Sequence, residues 1–134
     1  MKRIYPLIVL LAMVPWASAW EPDLADSTCR VVADFGAKRG MGSGCCFAVD
    51  GRLVGILTNA HVVTSDSGQT ARRVTCEFWS AGHLSRRLVA TVVGVRRDAT
   101  VDAAVLTIPL AAFGGRPPKA IPLDPTAVIR PGET

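Results

Sequence analysis

Histidine is scarce in this sequence: His61 and His83 are the only two among 134 residues. Cysteine is nearly as scarce, with four, and no C-x-x-C or H-x-x-x-H spacing arranges these residues as metal ligands. That speaks against a zinc site, and no cofactor motif stands in its place. Charge of one sign is also lacking. The formal net charge of +4 includes Lys2 and Arg3; without the first 19 residues, 13 basic groups face 11 acidic ones. So small an excess excludes nucleic acid as the expected partner. There is no internal repeat, no low-complexity tract and no sustained helical period, and after the first 19 residues no apolar run is long enough to span a bilayer.

What is present is a chain that is 49% hydrophobic and 19% charged, enough for one globular domain with a modest core. It opens with Lys2 and Arg3, an apolar stretch from Ile4 to Val14, and Ala17-Ser18-Ala19, the small-x-small pattern of a signal-peptide cleavage site. Residues 1–19 therefore read as an export signal, with the mature chain beginning at Trp20, destined for a periplasmic or extracellular space. An uncleaved anchor fits less well, because the apolar run is short and carries Pro6 and Pro15. All four cysteines, Cys29, Cys45, Cys46 and Cys76, follow the signal, where an oxidising compartment permits disulfides. Three full pairings are open. Cys45 and Cys46 are adjacent in an expected strand and should point to opposite faces, which argues against both holding one metal ion.

After a lead over residues 20–27, short apolar runs separated by Gly, Asp and Ser predict six strands near 29–35, 44–49, 53–58, 74–79, 84–95 and 103–108. In "RVTCEFW", Val74, Cys76 and Phe78 alternate with Arg73, Thr75 and Glu77, the pattern of a half-buried strand. Asp50-Gly51 between two apolar runs predicts a hairpin that makes the second and third strands antiparallel neighbours. The fold class expected is all-β, a six-stranded antiparallel barrel over residues 28–110, with little helix beyond a turn around 60–63. The pairs Arg72-Arg73, Arg86-Arg87 and Arg96-Arg97 read as a solvated rim that discourages edge pairing. Residues 111–134, with "FGGRPP" and "IPLDP", read as a linker rather than as core.

"GILTNAHVVT", residues 55–64, sets His61 directly after an apolar strand, and "DATVDAAVLTIPL", residues 98–110, sets Asp102 at the mouth of another. Each has an ordinary explanation: a polar residue at a strand end, and a turn aspartate. Together they admit a hydrolase pair, in which a carboxylate fixes the imidazole tautomer so that the second ring nitrogen can take a proton from a nucleophile.

A resemblance sharpens this. "GSGCCFAVDGRLVGILTNAHVV" resembles the Gly-Ser-Gly, strand, turn, strand, Thr-Asn-Ala-His-Val-Val block of trypsin-like serine proteases of the HtrA type. "VDAAVLTI" is similar to their Asp-x-Ala-x-Leu-x-Ile segment, and "IPLDPTAVIRPGE" to the stretch before their second barrel. The resemblance covers residues 28–134. It implies the first barrel of a two-barrel chymotrypsin-like fold acting on protein or peptide substrates, with His61 as general base and acid, Asp102 as its orienting group, and Gly42, Ser43 and Gly44 at the wall of the site. His83 is expected to be exposed and uninvolved. The nucleophile of the family sits in a Gly-x-Ser-Gly-Gly motif of the second barrel, and no such motif occurs in these residues; Ser43 does not match its position. The expectation is therefore the N-terminal part of a serine endopeptidase, inactive alone. A non-catalytic barrel used for binding is the alternative, and a cysteine protease of the same fold is a third reading.

Overall fold

The computed structural model describes residues 25–123 apart from residue 81. The expected signal over 1–19, the start of the lead and the final "AVIRPGET" lie outside the described residues. Six strands form: β1 (Thr28–Asp34), β2 (Arg39–Val49), β3 (Leu53–Thr58), β4 (Arg73–Ser80), β5 (His83–Arg97) and β6 (Asp102–Pro109). They match the expected strands, with β2 and β5 longer than the apolar runs suggested. One turn of helix, α1 (Ala60–Val63), separates β3 from β4, and a 3₁₀ turn (Leu110–Phe113) follows β6. The strands close in the order β1-β2-β3-β6-β5-β4, every pair antiparallel.

Period-two alternation decides what fills the barrel. Cys29, Val31 and Ala33 of β1, Cys46 of β2, Val54 and Ile56 of β3, Val74, Cys76 and Phe78 of β4, and Ala104, Leu106 and Ile108 of β6 turn inward and are buried. The hairpin between β2 and β3 forms where expected, but Gly51 does not take a left-handed conformation. Asp50 makes the turn instead: its Oδ1 accepts from the backbone N–H groups of Arg52 and Leu53, each at 2.7 Å.

Both ends of the barrel are plugged. At the end where β6 begins, α1 inserts Val62 and Val63. At the end where β6 finishes, Phe113 is only 2% exposed and meets Phe78 edge-on, with ring centroids 5.3 Å apart. Phe113 departs from the expectation that residues 111–134 are linker or crossing segment rather than core. A Gly/Pro-rich sequence marks where the backbone turns, not where a side chain goes, and the 3₁₀ turn swings Phe113 back over the open barrel end. Beyond it the chain runs across the surface, where Lys119 N–H donates to Asp26 O and Ile121 N–H to Cys46 O.

The reading of the arginine pairs as a solvated rim also needs correction. Arg86 lies 5.8 Å from the centre of the Phe113 ring and donates to the carbonyls of Phe113 and Arg116. Arg87 and Arg30 both hold Glu77, at 2.9 and 2.7 Å. Although Glu77 points out of the barrel as alternation requires, it is 3% exposed because these two guanidinium groups cover it. Their hydrogen bonds keep its carboxyl below the usual range, Arg30 contributing most.

Replacing Phe113 with Ala removes the end plug and should cost about 3–5 kcal/mol of stability, the usual range for a buried Phe→Ala change. Denaturant unfolding measures this, and a loss below about 1 kcal/mol, the level of an ordinary surface change, would show that Phe113 closes nothing.

Candidate active site

Four backbone segments converge where β3 ends and β6 begins. Thr58, the last residue of β3, donates its hydroxyl to Ser43 O at 2.8 Å and so ties β3 to β2 just before the chain leaves the sheet. Asn59 starts α1, yet its side chain does not cap the helix; Nδ2 donates to Asp102 O at 2.9 Å. Within α1, Ala60, Val62 and Val63 are buried, which forces the residue between them outward. That residue is His61.

Asp102 arrives from a turn held by Asp98. The Asp98 carboxylate accepts from the Thr100 N–H and hydroxyl, both at 2.8 Å, and from the Val101 N–H at 2.9 Å. These bonds, the Thr100 N–H foremost, with Arg96 at 3.0 Å, hold Asp98 down to about 2. At the far side of the turn Asp102 pairs in register with Arg97. Arg97 reaches over to the segment following α1, donating to Thr64 O at 3.3 Å and Ser65 O at 3.0 Å, and pairing with Asp66 at 3.2 Å.

The result is a two-point contact between residues 41 apart in sequence. Asp102 Oδ1 accepts the His61 backbone N–H at 2.9 Å, and Oδ2 is hydrogen-bonded to His61 Nδ1. An ionised carboxylate is acceptor only, so Nδ1 carries a proton and, in the neutral ring, Nε2 keeps its lone pair. The imidazole is 56% exposed and Asp102 39%. The His61 ring, then the His61 N–H, keep the Asp102 carboxyl below its ordinary value.

The three small residues expected at the wall of the site occupy distinct environments. A Cβ on Gly42 would come within 2.5 Å of Val62 Cγ2, and one on Gly44 within 2.8 Å of Ile56 and 3.1 Å of Cys29 Sγ. Their lack of side chains admits α1 and the core. Ser43 is exposed, with its carbonyl taken by Thr58. His83 is exposed at the start of β5, and Asp102 pairs with the last residue of that fifteen-residue strand. Among the described residues, no three His, Cys, Asp or Glu side chains cluster as metal ligands, and no helix is long and apolar enough to cross a membrane. Sequence reasoning missed Asn59, Arg97 and Asp98. Only Asp98, two residues before Thr100 in a turn, carries a local signal.

The family description "Trypsin-like peptidase domain" matches residues 42–134, from the glycines beneath α1 to the last residue of the sequence. The chain belongs to this family. The matched range includes His61 and Asp102, which meet at one end of the closed barrel. Among solved structures it is similar to an inactive serine-to-alanine mutant of Rv3671c from M. tuberculosis H37Rv, with 24% identity and a TM-score of 0.47. That likeness covers 78% of this chain and 42% of the other, so the chain spans less than half the length of that relative. No curated protein matches the chain.

Because Asp102 is depressed by contacts that exist only in the folded state, its contribution to stability is present above the unfolded value of 3.8 and lost as pH falls through the lower folded value. Asp102→Asn should therefore unfold more easily than the parent near neutrality, and the gap should shrink as the solution is acidified. Denaturant unfolding at a series of pH values checks this; a gap that persists unchanged in acid contradicts it.

Proposed function

We propose that the chain is the N-terminal part of an exported trypsin-like serine endopeptidase, in which His61 is the general base and acid and Asp102 its orienting group. The observation that carries this reading is the two-point contact between them. With Nδ1 engaged by the carboxylate, the exposed Nε2 is free to take the proton of a serine hydroxyl as its oxygen attacks a peptide carbonyl. It can then return that proton to the leaving amine. Asp102 would stabilise the imidazolium formed between those steps. The wall formed by Gly42, Ser43 and Gly44 would limit the substrate space beside α1. Protein or peptide substrates follow from the family, and export from the Lys2-Arg3, apolar, Ala-Ser-Ala order of the first 19 residues.

The nucleophile in this proposal lies outside these residues, in the second barrel. The alternative is a non-catalytic binding barrel. The two readings separate experimentally. The 134-residue chain should leave casein intact, while the same chain continued through its downstream reading frame should cleave it. In the continued chain His61→Ala should abolish cleavage, and Asp102→Asn should lower kcat by about 10⁴-fold, as expected when the tautomer is lost. Cleavage that survives His61→Ala, or a frame that stops without a nucleophile, overturns the proposal.

A further inference from the structure

On the outside of the barrel, strand register sorts the side chains of β2, β1, β4 and β5 into rows. Met41, Val32, Thr75 and Val89 are successive partners across the four strands and form a mainly apolar row. Two residues along the strands in one direction, the row is Arg39, Asp34 and Arg73. Two residues in the other direction, it is Arg30, Glu77 and Arg87. Each flanking row thus sets an acid between two arginines, and the three rows line one shallow groove. Met41 is 65% and Val89 52% exposed, so the apolar floor is open to a partner. The two flanking rows differ. Glu77 is held by both of its arginines. Asp34 instead gives Oδ1 to the Gly36 N–H at 2.8 Å, and among the described residues the Arg39 and Arg73 side chains have no hydrogen bond or ion pair.

We propose that this groove docks an extended acidic segment of a partner protein, with the pattern acid-x-apolar-x-acid. Successive rows are two residues apart, roughly 6.8 Å along a strand, which is also the spacing of alternate side chains in an extended peptide. A segment running along β1 therefore sets one carboxylate over Arg39 and Arg73, an apolar side chain between Met41 and Val89, and a second carboxylate over Arg30 and Arg87. The first carboxylate meets two guanidinium groups that have no other partner, so this end contributes most of the affinity. At the other end Arg30 gives Glu77 its Nε–H, and Arg87 its Nε–H and one Nη–H, which leaves further N–H donors on each. Four arginines against two acids leave an excess of two positive charges, which two carboxylates balance. A continuous polyanion such as nucleic acid or an anionic bilayer is a poorer match, because it would press negative charge against Asp34 and against the apolar row. In the closed strand order the β1–β4 pair lies opposite the β3–β6 pair, so an occupant of the groove leaves His61 and Asp102 uncovered. This inference does not depend on the proteolytic reading.

The test uses the whole chain with its methionine methyl groups ¹³C-labelled. Met41 is the only methionine after the first 19 residues, and Met41→Leu identifies its signal. Titration with the end-blocked peptide Ser-Glu-Ser-Leu-Ser-Glu-Ser should move the Met41 methyl resonance saturably, and added salt should weaken the binding. Replacing both peptide glutamates with lysine, or the leucine with serine, should lower the affinity. In the protein, Arg39→Gln combined with Arg73→Gln should weaken binding on the order of tenfold, the lower range for losing charge-assisted hydrogen bonds. Both side chains are exposed, and circular dichroism checks that the variant keeps the barrel. The absence of a saturable shift in the unsubstituted chain would overturn the proposal. So would equal binding of the lysine peptide, undiminished binding by the double variant, or a larger Met41 response to phosphatidylserine vesicles or duplex DNA than to the acidic peptide. The titration of the unsubstituted chain decides the matter whether or not the variants fold.

Discussion

One carboxylate organises the end of the barrel. Asp102 takes the His61 backbone N–H on one oxygen and the His61 ring on the other, so the position of α1 and the orientation of its imidazole are set by the same group. A single contact to the ring would let α1 drift beneath it. Two contacts from one rigid plane fix both, provided the start of β6 is itself fixed. The structure meets that condition with neutral and charged hydrogen bonds: the Asp98 turn ahead of Asp102, Asn59 on its carbonyl, and Arg97 joining β5 to the segment beyond α1. Closure of the barrel is therefore a condition for the site. β3 delivers His61, β6 delivers Asp102, and these strands are neighbours only because the sheet curls so that β6 pairs with β3 over its length.

The rest of the fold follows from filling a narrow interior with few aromatic rings. Val, Ile, Leu, Ala and Cys line the barrel, glycines on β2 admit α1 at one end, and Phe113 closes the other. Outside, the arginines act through their forked geometry rather than through net charge. Glu77 is held between two of them, the Phe113 turn is clamped by a third, and the loop after α1 is drawn in by a fourth.

Much of this was legible in the sequence because it depends on local pattern. Short apolar runs between Gly, Asp and Ser located the six strands, with period-two alternation clearest over 73–79, and the position of His61 directly after an apolar run singled it out. Asp102 was legible as a strand-start carboxylate, and its pairing with His61 only through the family resemblance, since nothing local links residues 41 apart. What the sequence concealed was long-range. Phe113 sits in a Gly/Pro-rich stretch whose composition signals turns but says nothing about a ring folding back over the core. Glu77 looked solvated because alternation gives the face of a residue, not what lies across it. Arg97 looked like a rim charge because its partners belong to the segment after α1, more than 30 residues away.

The central claim is that Asp102 fixes the proton of His61 on Nδ1 and leaves Nε2 as the available base. Nitrogen NMR of the ¹⁵N-labelled imidazole, recorded where the ring is neutral, tests it most directly. The expected spectrum shows a protonated Nδ1 and a bare Nε2 for His61, and this preference collapses in Asp102→Asn while His83 is unchanged. A His61 ring protonated on Nε2 in the unsubstituted protein, or one indifferent to the loss of the carboxylate, would contradict it.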